Sequence, residues 1–286
     1  MTNESYRLLE PTVRSSSVIF ASPHSGKAYS SLFLKQTVLS PLTIRSSEDA
    51  FVDQLFEAAP RFGAPLLLAD VPRAYVDLNR SAEELDPALI KDVRGVSHNP
   101  RVSSGLGVIP RVVANGRAIY RGKLEAAEAQ ERILAHWHPY HQALQNQLAV
   151  SQAAFGESIL IDCHSMPHEA IESVSTNPSL RPEVVLGDRF GAACAPDIMD
   201  AVERAFVKVG LRVARNTPFA GAFVTQHYGR PARQQHAVQV EIDRRLYMDE
   251  VNIRPNHRFE EFRRLMTQVV ADIAVIRRKA VPLAAE

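Results

Sequence analysis

The stretch IDCHSMPHEA, residues 161–170, marks the point where a buried strand gives way to groups that can carry chemistry. The aliphatic run at 158–161 leads into it and is short and apolar, which is typical of a strand covered on both faces. Asp162 and His164 follow at once. Ligands in open α/β sheets sit beyond the carboxyl ends of the strands. The sequence therefore predicts a functional site here.

Short apolar runs alternate with longer helical patterns along the chain. The runs that predict strands are SSVIFASPHSG, APLLLADVP, SILIDCHS, VVLGD, LRVARN and AVQVEID. The patterns that predict helices are SSEDAFVDQLFEAAPRFG, YRGKLEAAEAQERILAHW, PYHQALQNQLAVSQAAFG and PDIMDAVERAFVKVG. This alternation predicts a three-layer α/β/α fold with a central, mostly parallel sheet, in a single domain over residues 1–286. Residues 83–115 lack periodicity and predict a long loop over one end of the sheet.

The composition excludes several classes of partner. A formal net charge of +1 gives no basic surface for nucleic acid or an anionic membrane. No stretch approaches the roughly 20 apolar residues that cross a bilayer, and the N-terminus lacks an apolar signal region. Two cysteines cannot form a disulfide framework. We expect a cytoplasmic protein that acts on a small molecule; the sequence does not indicate an oligomeric state.

Two histidines at strand ends together with a carboxylate are typical of a catalytic zinc, which takes three protein ligands and leaves the fourth position to water. His24 and His164 would supply the imidazoles, so we expect one zinc ion per chain. The segment SSEDAF predicts the first turn of a helix, where Asp49 is the expected third ligand and Glu48 the alternative. Without a metal, the histidines would be a hydrogen-bonded pair and the carboxylates would only compensate the helix dipole.

A candidate general base lies in the strand AVQVEID. Alternation places Glu241 on the face opposite Val240, and partial burial among β-branched neighbours would raise its pKa. The alternative is a salt bridge with Arg244 or Arg245.

Two arginines follow the strand APLLLADVP. Arg73 is a candidate for stabilising an oxyanion. Arg80, beside Asn79, could bind a substrate carboxylate through its bidentate fork.

Ordered motifs through most of the chain resemble those of the N-formylglutamate amidohydrolases, a family grouped with the zinc carboxypeptidases and aspartoacylases. The motifs are SPHSG at 22–26, EDAFVDQLF at 48–56, YVDLNR at 75–80, GLGVIPRV at 105–112, PYHQAL at 139–144, DCHSMP at 162–167, PFAGAFVTQHYGRP at 218–231 and HAVQVEIDRRLYMDE at 236–250. The resemblance implies a phosphorylase/hydrolase-like, zinc carboxypeptidase-like fold. It also implies a hydrolase that cleaves N-formylglutamate to glutamate and formate in the last step of histidine degradation.

The resemblance also implies roles for particular residues. It makes His24, Asp49 and His164 the zinc ligands, and Glu241 the general base. Zinc carboxypeptidases have an acidic ligand three residues after the first histidine, but Lys27 stands there, so the ligand has to come from elsewhere. The resemblance places Arg73, Asn79 and Arg80 in the substrate and oxyanion positions. Further substrate-binding candidates in its matching motifs are His141, Arg215 and His227.

Two other functions fit the same residues. A metallocarboxypeptidase or a peptidoglycan-type amidase would use related chemistry in a larger groove. A non-enzymatic small-molecule-binding protein would need only Arg73 and Arg80, and no metal.

Overall fold

The protein is built on one seven-stranded sheet. The structure is a computed structural model that describes residues 5–93, 99–172, 174 and 177–276. Its strands are β1 (Tyr6–Leu9), β2 (Val18–Ser22), β3 (Leu66–Ala69), β4 (Ser158–Met166), β5 (Val184–Gly187), β6 (Val213–Arg215), β7 (Gln235–Asp243), β8 (Met248–Asp249) and β9 (Arg254–Pro255). All six predicted strands are present, while β1 and the small β8–β9 pair were not predicted.

The order of strands in the large sheet is β1-β3-β2-β4-β7-β5-β6. Strands β3, β2, β4 and β7 run parallel to one another, β1 is antiparallel to β3, and the parallel pair β5–β6 is antiparallel to β7. The mixed, mostly parallel sheet is therefore confirmed. The carboxyl ends of β2, β3, β4 and β7 lie at one edge, which we call the active edge.

Helices cover both faces of the sheet. They are α1 (Ser31–Gln36), α2 (Val52–Leu55), α3 (Pro100–Ser103), α4 (Ala126–Arg132), α5 (His138–Phe155), α6 (Glu169–Glu172), α7 (Pro196–Lys208), α8 (Phe223–Tyr228) and α9 (Phe259–Ala274). A π-helical segment, Ile133–Trp137, joins α4 to α5. Of the helices in the described ranges, none has the length and apolar character needed to cross a membrane.

Alternation along the strands divides the core into two layers. Phe20 and Val240 point into one layer with α2, α7 and α9. Ile19 and Ala237 point into the other, with α5 and α8. Both faces of the parallel strands are thus buried, as such strands require, and the three-layer α/β/α arrangement is confirmed.

The helix predicted over residues 46–63 is wrong in its extent. Only Val52–Leu55 is α-helical, and Ala59–Phe62 forms a 3-10 turn. Phe51 has a left-handed backbone with φ 68°, which prevents a helix from running through it. Asp49 therefore lies before the helix instead of in its first turn.

The predicted loop at 83–115 covers the active edge and continues to Leu124; we call residues 83–124 the lid. Residues 94–98 fall outside the described part of the chain. The lid contains α3 and buries Val108 and Ile109 in the same core layer as α5. It is therefore anchored to the core by apolar packing.

Candidate metal centre and substrate cavity

Three buried side chains meet at the active edge. Ligand atoms of His24, Asp49 and His164 lie within 4.8 Å of one another. Asp49 Oδ2 lies 2.9 Å from Nδ1 of His164 and 3.4 Å from Nδ1 of His24. In a tetrahedral zinc site with bonds of about 2.0–2.1 Å, neighbouring ligand atoms are about 3.4 Å apart. The three donors are therefore spaced to hold a metal ion.

The outer nitrogen of each imidazole faces a carboxylate. His24 Nε2 lies 2.7 Å from Asp77 Oδ1, and His164 Nε2 lies 3.0 Å from Asp162 Oδ2. The amide nitrogen of Asn79 lies 3.1 Å from the same nitrogen of His164. A carboxylate at Nε2 favours the tautomer with the proton on that atom, which leaves Nδ1 as a lone-pair donor. Both rings thus present Nδ1 to Asp49, as metal-binding histidines with carboxylate partners do.

The Nδ1 atom of His24 supplies a test of whether a metal fits. It is buried and makes no hydrogen bond within the described part of the chain. Leaving a buried polar atom without a partner costs about 1–3 kcal/mol, which a coordinated ion would offset. Two imidazole nitrogens and one carboxylate oxygen also match the donor sets of metal sites that keep an open position. The residues present therefore fit a divalent metal ion.

Arg244 and Ser165 fix the orientation of Asp49. Arg244 Nη2 donates to Asp49 Oδ1 at 3.0 Å and to the carbonyl oxygen of Glu48 at 2.6 Å. Ser165 Oγ donates to the same Oδ1 at 3.3 Å, and the backbone N–H of Asp49 donates to the carbonyl of His24 at 3.0 Å. With Oδ1 occupied, Oδ2 is the oxygen that faces the imidazoles.

Glu48, the alternative acidic ligand, lies outside this cluster. Its carboxylate accepts two hydrogen bonds from Arg45, at 3.0 and 3.1 Å. The structure therefore brings Asp49, and not Glu48, to the two histidines.

The ionisation of the cluster suits a cation. Burial would raise the pKa of Asp49, but its close contacts with His164 and His24 outweigh this effect and hold the pKa well below its usual range. Burial would lower the pKa of His164, but the charge of Asp162 and further contacts with it and Asp49 raise the pKa well above its usual range. Metal ligands must be deprotonated, and a divalent ion can replace the proton as counter-charge to these carboxylates.

Glu241 lies directly beside His164. The two residues are paired in the register of β4 and β7, so their side chains leave the same face of the sheet. Gln239 Nε2 donates to Glu241 Oε1 at 2.9 Å. Burial raises the pKa of Glu241 to about 7. Such a carboxylate is suited to accept and return a proton near neutral pH.

The alternative salt bridge for Glu241 is not formed. Arg244 binds Asp49 instead, and Arg245 Nη1 lies 3.2 Å from His168 Nε2. Among the described residues, the carboxylate of Glu241 is hydrogen-bonded through Oε1, by Gln239, and not through Oε2.

A cavity of about 720 Å³ opens above the cluster, within the range of small-molecule sites. Arg73 lines it, and its Nε donates to Asp77 Oδ2 at 3.1 Å. Asp77 thus links Arg73 to His24. The remaining charged side chains of the wall are those of Asp49, Arg80, Arg101, His164, Glu241 and Arg244.

Asn79 and Arg80 lie at the boundary between the cluster and the lid. Asn79 Oδ1 accepts the backbone N–H of Val224 at 2.8 Å, which fixes the amide against His164. Arg80 is buried, and it donates from Nε to the carbonyl of Leu106 and from Nη1 to that of Asn79. Both residues line the cavity.

Three predicted substrate-binding residues are not brought to this cavity. His141 is buried against Tyr228 and the carbonyl of Leu78, and burial lowers its pKa to about 3. His227 lines a separate depression beside α5. Arg215 ends β6, which runs antiparallel to β7, and pairs with Asp200 and Glu203 on α7. A role for these three in substrate binding stays a prediction.

Sequence reasoning missed several contacts that complete the site. The i, i+2 spacing of Asp162 and His164 could have indicated a same-face pair on a strand. The same spacing relates Gln239 to Glu241. Nothing in the local pattern indicates that Arg244 reaches Asp49, because that contact joins residues 195 positions apart.

Comparison with known proteins gives one consistent result. The family model described as N-formylglutamate amidohydrolase matches residues 16–248. The chain is 32% identical over 206 residues to an N-formylglutamate deformylase of Pseudomonas aeruginosa, covering 71% of each chain. It is 27% identical over 240 residues to that of Pseudomonas putida, covering 82% of each.

Solved structures agree with the sequence matches. The crystal structure of an N-formylglutamate amidohydrolase from Ralstonia eutropha superimposes with a TM-score of 0.88 at 36% identity, covering 95% of this chain and 98% of that one. A gene product of Agrobacterium tumefaciens, at 16% identity and a TM-score of 0.64, covering 95% of this chain and 97% of that one, shares the fold.

Proposed function

Because the chain belongs to the N-formylglutamate amidohydrolase family, we propose that it hydrolyses the formamide of N-formylglutamate with one zinc ion held by His24, Asp49 and His164. The products would be formate and glutamate. The observation that carries the proposal is the convergence of three buried ligand atoms within 4.8 Å, at the base of a cavity that also exposes Glu241.

Bound zinc would supply a Lewis acid that polarises the formyl oxygen and makes water a nucleophile near neutral pH. Its ligands would be Nδ1 of His24, Nδ1 of His164 and Oδ2 of Asp49. Asp77 and Asp162 hold the two imidazoles through Nε2, and Arg244 holds Asp49 through Oδ1. These contacts keep the three donors in place before substrate arrives.

Glu241 would act as the general base and then as the general acid. Gln239 holds Oε1, which leaves Oε2 to take the proton from the attacking water. A pKa of about 7 lets the same oxygen return that proton to the leaving amine nitrogen.

The arginines of the cavity would bind and stabilise the substrate. Arg73 uses Nε on Asp77, so its remaining N–H groups can face the formyl oxygen as charge develops there. Arg80 would bind the α-carboxylate, since a guanidinium is matched to a carboxylate in both charge and geometry. We further infer a cytoplasmic enzyme that serves histidine degradation, as the family resemblance implies.

Metal analysis and a substrate panel test this proposal. Protein purified without added zinc should contain one equivalent, and kcat/KM should be highest for N-formylglutamate among N-formyl amino acids, N-acetylglutamate and a short peptide. Preference for the peptide would favour a metallocarboxypeptidase or a peptidoglycan-type amidase. Binding of N-formylglutamate without metal or turnover would favour a non-enzymatic binding protein.

A further inference from the structure

The arginines of the cavity differ in how their charge is compensated. Arg244 pairs with Asp49 at 3.0 Å, and Arg73 pairs with Asp77 at 3.1 Å. These two cations are therefore neutralised by carboxylates of the site itself. They orient the metal centre and its surroundings.

Arg80 has only a distant carboxylate partner, and Arg101 has none among the described residues. The nearest carboxylate to Arg80 is Glu84, with 4.0 Å between Nε and Oε2. Across the described ranges, no hydrogen bond or ion pair involves the guanidinium of Arg101; only its backbone is engaged, through the N–H to Asn99 Oδ1 and through the carbonyl oxygen, which accepts from Ser104 Oγ and the Leu106 N–H. By contrast Arg111, on the same lid, donates to Asp86 at 2.8 Å.

Arg101, which has no ion pair among the described residues, lies close enough to the weakly paired Arg80 for their charges to interact. Burial lowers the pKa of Arg80 most; the charges of Arg73 and Arg101 act in the same direction, while those of Asp77 and Glu84 oppose them. Both Arg80 and Arg101 line the cavity. A bound anion would relieve this repulsion, and one carboxylate cannot neutralise both cations.

The lid holds Arg101 in a defined place although the side chain is exposed. Asn99 caps α3 by accepting the backbone N–H groups of Arg101 and Val102. Pro100 occupies the first helical position, and Val102 is buried. Arg101 thus lines the cavity from an anchored turn.

We propose that Arg101 is a specificity-determining residue that binds the side-chain carboxylate of the substrate, while Arg80 binds the α-carboxylate. This inference rests on the proposed function and names the residue that would select the acidic side chain of the substrate. A neutral substrate of the same shape would offer Arg101 a carbonyl acceptor but no counter-charge.

The test pairs a change in the enzyme with a change in the substrate. Arg101→Met removes the donors and keeps an unbranched side chain, and N-formylglutamine replaces the side-chain carboxylate by a neutral group of equal size. We expect kcat/KM for N-formylglutamate to fall by about 10- to 100-fold, the range for one hydrogen bond to a charged group. For N-formylglutamine the fall should be smaller, about 2- to 10-fold, because its side-chain carbonyl is a neutral acceptor. Arg101→Lys should fall between.

Arg121→Met is the matched control. Arg121 is an exposed arginine of the lid that does not line the cavity. Arg121→Met therefore changes the net charge as much as Arg101→Met does, without changing the cavity wall. Equal losses on both substrates, or a loss no larger than that of the control, would overturn the assignment. If the wild type turns over neither substrate, the proposed function fails by itself. In that case, the affinities of wild type, Arg101→Met and Arg121→Met for N-formylglutamate and N-formylglutamine are measured by calorimetry. A loss of affinity that is larger for N-formylglutamate and specific to Arg101→Met supports the role of Arg101, and equal losses overturn it.

Discussion

Replacing Arg244 by Met should weaken metal binding, although Arg244 is not a ligand. Its side chain donates four hydrogen bonds, to Oδ1 of Asp49, Oγ of Ser165 and the carbonyl oxygens of Glu48 and Ser46. Loss of the group that orients a ligating carboxylate typically costs about 10- to 100-fold in metal affinity. We expect that range here, since Ser165 alone would remain on Oδ1.

The same change should destabilise the protein. Breaking a buried ion pair by removing one partner costs about 3–5 kcal/mol. Asp49 keeps its contacts with His24 and His164, so we take the lower end, about 3 kcal/mol. At about 2–4 °C per kcal/mol for a chain of this size class, Tm should fall by about 6–12 °C.

Zinc affinity is measured by competition with a chromophoric chelator, and Tm by calorimetry on metal-free protein. Arg245→Met is the control, because Arg245 is an exposed neighbour that contacts His168 and not Asp49. The reasoning is refuted if Arg244→Met binds zinc as tightly as Arg245→Met does. A fall in Tm without a fall in affinity would reduce Arg244 to a structural role.

Further predictions concern a metal ligand, the general base and a substrate-binding arginine. His164→Ala should abolish tight zinc binding and activity together, and a full equivalent of zinc in this variant would contradict the ligand set. Cys163→Ala should have a modest effect, because Cys163 points into the core layer on the other side of the sheet from His164. Glu241→Gln should retain zinc while kcat falls by about 100- to 10,000-fold. The base must be ionised, and burial raises the pKa of Glu241 to about 7. The kcat/KM of the wild type should therefore be constant above about pH 7 and fall about tenfold per pH unit below it. A flat profile from pH 5 to 7 would exclude Glu241 as the base. Arg80→Lys keeps the charge but loses the fork, so KM should rise more than kcat falls; equal falls in kcat and kcat/KM would place Arg80 on the transition state.

The hydrophobic period of each segment and its position along the chain were sufficient to predict strands β2 to β7 and to place His24 and His164 near strand ends. Residues 159–161 lie in a strand because their aliphatic side chains fit both faces of a buried sheet, and His164 lies near the carboxyl end of the same strand. The alternation that separates Glu241 from Val240 is equally local. Such features depend on a few neighbouring residues, which is why the sequence is informative about them.

Features set by tertiary contacts were not predictable in the same way. The segment around Asp49 has the pattern of a helix start, but its backbone N–H bonds to His24 and Phe51 turns left-handed. The reversal of β5 and β6 relative to β7 removes Arg215 from the active edge, and no local pattern encodes strand direction. The contact of Arg244 with Asp49 likewise depends on how distant segments meet.

The direct pairing of His164 with Glu241 on adjacent strands has a consequence for engineering this protein. Neighbouring strands are held about 4.8 Å apart by backbone hydrogen bonds, so the spacing between these two groups is a property of the sheet and not of any loop. A slip of one residue between β4 and β7 would turn one of them to the opposite face. Arg80 and Arg101, by contrast, stand on segments outside the sheet. A designer could therefore exchange residues 99–104 to change which side chains are accepted while leaving the hydrolytic geometry on its rigid frame.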